Sequence, residues 1–218
     1  MEDNNTVSKF KELIYRLRGK RKKIFLMGYS HSGKTTILKV LNDKRNVTPQ
    51  EIEQNTNGTV PYKIEYGSFL ITSNDRAGRE EVYYQPEFDK IIKDSNYFLY
   101  VINADFYIRA SKNQLTDKEC RQYNDYRQLL ETIPSWLKEL SDRAEKNKKR
   151  LVVVFSHADE YLEKINKRND QEGKQYMKDM MVGEKGLMKG FSQLDTIVAD
   201  VTKIREVEQI INKLISKQ

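Results

Sequence analysis

Two unbroken apolar runs dominate the hydrophobic pattern, YFLYVINA at 97–104 and LVVVFSHA at 151–158. Runs of this kind predict central strands of a parallel sheet, covered on both faces. A shorter run at 24–27, IFLM, predicts a third such strand, and a helix begins directly after it at 35–41. At 60–75 the pattern changes to alternation: Tyr62, Ile64 and Tyr66 are separated by polar residues, Gly67-Ser68 supplies a turn, and 69–72 returns. That predicts a β-hairpin. Residues 114–147 carry a helical pattern that Pro134 is expected to break. TIVADV at 196–201 predicts a last short strand, and 204–216 a closing amphipathic helix with Ile204, Val207, Ile210, Ile211 and Leu214 along one face. Residues 7–18 predict a short helix with Val7, Phe10, Leu13, Ile14 and Leu17 on one side, and the polar stretch 43–59 predicts a loop. Pro49, Pro61, Pro86 and Pro134 all fall at predicted boundaries. Strands alternating with helices predict an α/β fold with right-handed crossovers.

Composition narrows the setting. The 218 residues suit one domain with insertions, or a domain and a small appendage, and 38% hydrophobic against 33% charged suits one core wrapped in charged helices. No apolar run approaches the ~20 residues that span a bilayer, and the opening MEDNNTVSKF lacks the apolar core of a secretory signal. Cys120 is the one cysteine, which excludes a disulfide framework or a cysteine-based metal site within this sequence. A reducing, cytoplasmic setting is therefore expected. The formal charge is +7, with basic runs at 15–23 and 145–150. Few aromatics accompany them, so a solvated surface is expected rather than nucleic-acid binding.

The chemistry starts at 28–35, where Gly28-Tyr29-Ser30-His31-Ser32-Gly33-Lys34-Thr35 joins the first apolar strand to a helix. A strand-to-helix turn offers unpaired N–H groups and the positive end of a helix dipole. Gly28 and Gly33 let the backbone approach phosphate oxygens, Lys34 would bridge the β and γ phosphates, and the Thr35 hydroxyl would ligate magnesium. Residues 28–36, Thr36 included, are thus expected to hold phosphate. Directly after the hairpin comes Asp75-Arg76-Ala77-Gly78. An aspartate at that strand tip can hold a magnesium-bound water, and the Gly78 N–H can meet a γ phosphate.

With Asp75 lying 41 residues after Lys34, the chain resembles a divergent Ras-like small GTPase, a P-loop G domain of the translation-factor class, over roughly 22–216. Signal-recognition-particle GTPases share the GKTT and AGR strings but need a longer gap there and lack the antiparallel hairpin. The resemblance implies a mostly parallel central sheet with one antiparallel strand from the hairpin and helices on both faces. It divides the chain into an N-terminal basic amphipathic helix at 1–21 and a G domain at 22–218, with helical insertions near 104–147 and 160–190. It also implies a switch-I threonine on magnesium: NTNGTVPYKI points to Thr56, then Thr59, then Thr48. Metal ligands are therefore expected at Thr35, Thr56 and Asp75.

The family's base-reading box, Asn-Lys-x-Asp, is here Ser156-His157-Ala158-Asp159. Asp159 keeps the carboxylate that accepts from guanine N1–H and the 2-amino group. His157 would stack where the family's lysine stem packs, and Ser156 would keep part of the asparagine's hydrogen bonding. An aspartate that merely caps the next helix is the plain alternative. The last box is eroded to Asp200-Val201-Thr202, leaving the Val201 N–H for the guanine oxygen. Guanine preference with weakened affinity is expected, with GTP or GDP and magnesium as ligands.

Where the family positions water with a glutamine, this chain has Arg79. A guanidinium has no acceptor, so it cannot orient water as an amide does. It would either neutralise transition-state charge beside Lys34 and Gly78 or pair with Glu80 or Glu81. Slow turnover is expected, with an activating partner, an effector or a second copy supplying what is missing. The 1–21 helix resembles the membrane-associating helix of Arf-type proteins, but with only five apolar positions it is expected to pack on its own domain, with at most weak contact with an anionic membrane. Met177, Met180, Met181 and Met188 suit either an adaptable surface or the inner face of a helix. A switch, an interaction module with little turnover, and a P-loop kinase or ATPase are the three functional classes; the hairpin disfavours the last.

Overall fold

The computed structural model describes residues 22–48, 51, 63–73, 86–122 and 126–216. The predicted helix at 7–18, along with Pro49 and Pro61, lies outside them. Strand β1 (Lys22–Met27) leads through a glycine-bounded loop into α1 (Lys34–Asp43). The hairpin follows as β2 (Lys63–Tyr66) and β3 (Phe69–Ser73), then α2 (Pro86–Asp94), β4 (Tyr97–Asn103), α3 (Ala104–Ser111), α4 (Asp117–Gln122) and α5 (Tyr126–Lys146). The chain closes with β5 (Arg150–Ser156), α6 (Ala158–Lys164), α7 (Gln171–Val182), β6 (Asp195–Val198) and α8 (Ile204–Ile215).

The six strands form one sheet in the order β2-β3-β1-β4-β5-β6. Only the β2–β3 pair is antiparallel, Ile64 facing Ile71; β1 pairs in parallel with both β3 and β4. Successive residues of a strand point to opposite faces, and β1 shows it. Phe25 and Met27 join a core with Trp136, Leu140, Phe155 and Met177, while Ile24 and Leu26 join the one built with Ile37, Leu41, Val207 and Ile210. Both layers need helices over them, which is why β4 and β5 read as unbroken apolar runs. The fold is the α/β, Ras-like arrangement expected, a mostly parallel sheet with one antiparallel strand and helices on both faces.

Several boundaries differ from expectation. β4 ends at Asn103, because its side chain caps α3 by accepting from the Phe106 N–H at 2.9 Å. β5 likewise stops at Ser156, where His157 takes a left-handed φ of 55° and opens α6. β6 covers 195–198 rather than 196–201, and α2 had no clear signal beyond Pro86 at its first position, where proline is favoured. Most instructive is Pro134, which sits inside α5 without breaking it. A proline at 134 removes the N–H that would serve the Leu130 carbonyl. The Tyr107 hydroxyl donates to that carbonyl instead, at 3.3 Å, and burial pushes the Tyr107 phenol up to about 12.

The methionines resolve as packing: Met177, Met181 and Met188 are buried, and Met180 packs against the same core. The basic run near 145–150 has a structural task as well. Lys149 Nζ donates to the carbonyls of Lys93 and Ser95 at the end of α2, and Arg150 donates to Leu214 O near the end of α8. Cations at helix C-termini meet both orphan carbonyls and the negative dipole end. Asp105, almost fully buried, accepts from Arg109 and from Lys164, tying α3 to α6. No helix among the described residues is long and apolar enough to cross a membrane.

Candidate functional site

The loop between β1 and α1 is shaped by two glycines. Gly28 has φ 137°, and a Cβ there would lie 2.2 Å from the Val101 carbonyl oxygen of β4. No side chain fits. Gly33 has φ 93° and precedes α1, whose first turn carries no acid and no side-chain cap. Unserved N–H groups at a dipole's positive end make an anion cradle. Lys34 Nζ lies inside it, donating to the carbonyls of Gly28 at 2.8 Å and Tyr29 at 2.6 Å. The Ser32 hydroxyl is buried with no hydrogen-bond partner among the described residues. An orphaned hydroxyl, an uncapped helix and an enclosed ammonium fit a bound polyphosphate.

Gly33 is also where distant motifs meet. A Cβ on it would come within 3.0 Å of Val201 Cγ2, 3.6 Å of His157 Cε1 and 3.7 Å of Ser156 Cβ. Ser156 is fully buried, and its Oγ donates to Ser32 O at 2.7 Å, with Ile102 O at 3.1 Å and His157 Nδ1 at 2.9 Å. One hydroxyl carries one proton. With that proton on Ser32 O, the oxygen is left to accept from the His157 Nδ1–H. His31 stands on the exposed rim of the loop at φ 57°. Desolvation first, then the charges of Lys34 and His157, hold its imidazole below the ordinary range. The chain's two histidines thus converge on one site.

Beside this junction lies a cavity of about 460 Å³ whose walls include Thr36, Val47, Thr48, His157, Asp159 and Val201. Asp159 is half-buried, and burial first, then the Asp200 carboxylate, raise its pKa above the usual range. Asp200 is committed elsewhere, accepting from the Thr202 N–H at 3.0 Å and the Thr202 hydroxyl at 2.5 Å. Val201 stands in the cavity wall, and its N–H meets no described acceptor. The wall thus includes a residue with a carboxylate, Asp159, and one whose backbone N–H has no described acceptor, Val201.

Of the residues expected on magnesium, Thr35 opens α1 and is half-buried. Thr56, Asp75, Gly78 and Arg79, with Thr59, lie outside the described residues. The Thr48 hydroxyl is engaged with Glu51 in a reciprocal capping pair: Thr48 N–H and Oγ donate to Glu51 Oε2 at 2.7 and 3.1 Å. Among the described residues no group of three or more His, Cys, Asp or Glu side chains could hold a metal.

Two contributors escape a reading by motif. Asn103 donates to His31 O at 3.3 Å as well as capping α3; an Asn between an apolar run and a helical one is a cap signal. Val47 and Thr48 form part of the cavity wall, and the polar stretch 43–59 singles out Thr48 alone, as a magnesium candidate, with no sign of a place at this cavity.

The chain resembles solved structures at the level of fold. The Arl6 BBS3 small GTPase from Trypanosoma brucei, determined with the bound nucleotide analogue GppNp, aligns over 89% of this chain and 95% of its own. The TM-score is 0.50 and the identity 13%. The comparison with curated proteins finds no match. The model of the family described as 50S ribosome-binding GTPase matches residues 23–157, a span that includes the phosphate loop, both hairpin strands and Ser156 and His157 of the base box. That is well over half of the chain, and the chain belongs to the 50S ribosome-binding GTPase family.

Proposed function

We propose that this GTP-binding domain is a nucleotide-dependent switch of the translation-factor class, with slow intrinsic hydrolysis. The observation that carries the reading is the convergence on Gly33 of the phosphate loop, Ser156-His157 and Val201, with Asp159 in the adjoining cavity. Backbone N–H groups of residues 28–36 and the Lys34 ammonium hold the phosphates. Asp159 accepts from guanine N1–H and the 2-amino group, the Val201 N–H meets the guanine oxygen, and His157 stacks on the base. Adenine offers an acceptor at N1 and no 2-amino group, so it leaves Asp159 poorly paired. Thr35, with Thr56 and Asp75, would hold magnesium, which would supply charge neutralisation at the phosphates. Gly78 donates to the γ phosphate, while Arg79, lacking an acceptor, leaves the attacking water unoriented. An activating partner or a second copy completes the site. The setting is the cytoplasm, with weak anionic-membrane contact through the 1–21 helix.

Calorimetry with GDP, GTP and ATP in the presence of magnesium tests the binding half. GDP and GTP are expected to bind and ATP not to, and equal binding of ATP sinks the guanine reading. Single-turnover hydrolysis tests the rest. A slow rate that a partner accelerates supports the switch. A fast rate in the isolated chain that Arg79→Ala abolishes establishes an internal arginine finger instead, a gain of about 10³–10⁵ in rate. No turnover under any condition leaves a guanine-nucleotide-binding interaction module.

A further inference from the structure

The segment after α1 is stitched to the loop that follows β6. Lys203 precedes α8 but offers no side-chain cap. The cap comes from across the molecule: Asn46 Oδ1 accepts the Ile204 N–H at 3.0 Å, over 158 residues of sequence. One residue on, the Val47 N–H donates to Thr202 O at 3.0 Å, and the Val47 side chain is buried in the core beneath. Val47 and Thr48 then form the cavity wall that shares the site with Asp159. The far side of the same loop is held too, since Glu206 Oε2 accepts the Asp200 N–H at 2.7 Å and is paired with Lys174 of α7 at 2.6 Å. The loop at 200–204 is therefore fixed to α7 on one side, and to residues 46–47 on the other.

We infer that Asn46 is a positioning residue for nucleotide binding, coupling the base cavity to the 46–48 segment through the cap on α8. The inference rests on the guanine reading above. A ligand that orders the 200–202 loop makes the Asn46 and Val47 bonds more persistent, and by reciprocity those bonds slow the ligand's release. An acceptor is all that Asn46 contributes, and aspartate supplies one with a charge suited to a helix N-terminus.

The test uses the full chain, a fluorescent GDP analogue and magnesium. Asn46→Ala is expected to speed GDP release about tenfold, and Asn46→Asp to return it near the wild-type rate. Tyr107→Phe, a destabilising change remote from the cavity, is expected to leave release unchanged. In the unaltered chain, saturating GDP is expected to slow hydrogen exchange at the Val47 amide, a readout that needs no variant to fold. An unchanged release rate in Asn46→Ala, equal damage from Asn46→Asp, an equal acceleration in Tyr107→Phe, or Val47 exchange indifferent to GDP each overturns the inference alone. Failure of the wild-type chain to bind GDP overturns it together with the guanine reading.

Discussion

Asn103 and Ser156 are register partners at the ends of β4 and β5, and each holds one of two consecutive carbonyls in the phosphate loop. Asn103 Nδ2 donates to His31 O at 3.3 Å, and Ser156 Oγ donates to Ser32 O at 2.7 Å. Side chains at paired positions of neighbouring strands end up side by side, so two strand ends act as one clamp. Ser156→Ala removes a buried donor and leaves the Ser32 carbonyl unserved, at a cost of about 1–3 kcal/mol. Asn103→Ala loses the helix cap as well and is expected to cost about 1–2 kcal/mol. Denaturant unfolding of each variant measures the cost, and a faster GDP release checks that the clamp acts on the loop.

Gly28→Ala should be more damaging than either. Its Cβ would collide with the Val101 carbonyl of the central sheet, and φ 137° strains any side chain. Strain and overpacking together predict a loss of at least about 2 kcal/mol and the disappearance of nucleotide binding. Gly67→Ala is the control, since a Cβ there meets nothing within 4 Å. Its left-handed φ of 57° alone should cost about 1 kcal/mol, with binding intact.

On the proposed guanine reading, Asp159 holds its function at the expense of stability. Burial and Asp200 raise its pKa, so the nucleotide-free fold disfavours the ionised form. A carboxyl raised in the fold subtracts stability once pH exceeds its unfolded value and subtracts none below it. Asp159→Ala should therefore leave the melting temperature of the nucleotide-free chain unchanged or higher at neutral pH. GDP affinity should fall about 10–100-fold, the loss of hydrogen bonds to a charged acceptor. Parallel calorimetry and thermal unfolding read the two effects separately.

His31 predicts a pH dependence of opposite origin. Its lowered pKa means that the fold disfavours the imidazolium. Its contribution to stability is complete above the unfolded value, about 6.5, and is lost as pH falls through the folded value. Phosphate placed at the loop would favour the protonated ring, so binding should take up a proton. GDP affinity is expected to rise as pH falls from about 8 to about 6, by less than tenfold per unit, and His31→Gln should flatten the slope. An identical slope in the variant would move the titration elsewhere.

The Tyr107–Pro134 pair predicts non-additivity. Tyr107→Phe leaves the Leu130 carbonyl without its donor, for about 1–3 kcal/mol. Pro134→Ala restores a main-chain N–H to that carbonyl, so the double variant should recover much of the loss. A thermodynamic cycle with no coupling would show that the hydroxyl contributes nothing to tolerating the proline.

The sequence by itself determined the sheet's central strands, the hairpin, the phosphate loop and the class of fold. Those features are local: apolar periodicity records which faces are covered, and the two glycines mark backbone that side chains cannot occupy. Pairing order and site assembly were not local. Pro134 reads as a break until Tyr107, 27 residues away in sequence, supplies the missing donor. Val201 reads as part of an eroded motif, and Asp159 as either a base reader or a plain helix cap, until packing brings Val201 onto Gly33 and sets Asp159 in the adjoining cavity wall. Asn46 carries no signal in its polar surroundings, because its task is to cap a helix that begins 158 residues later. Hydrogen-bonding partners are chosen by proximity in space, and only the closed sheet with helices on both faces fixes that proximity.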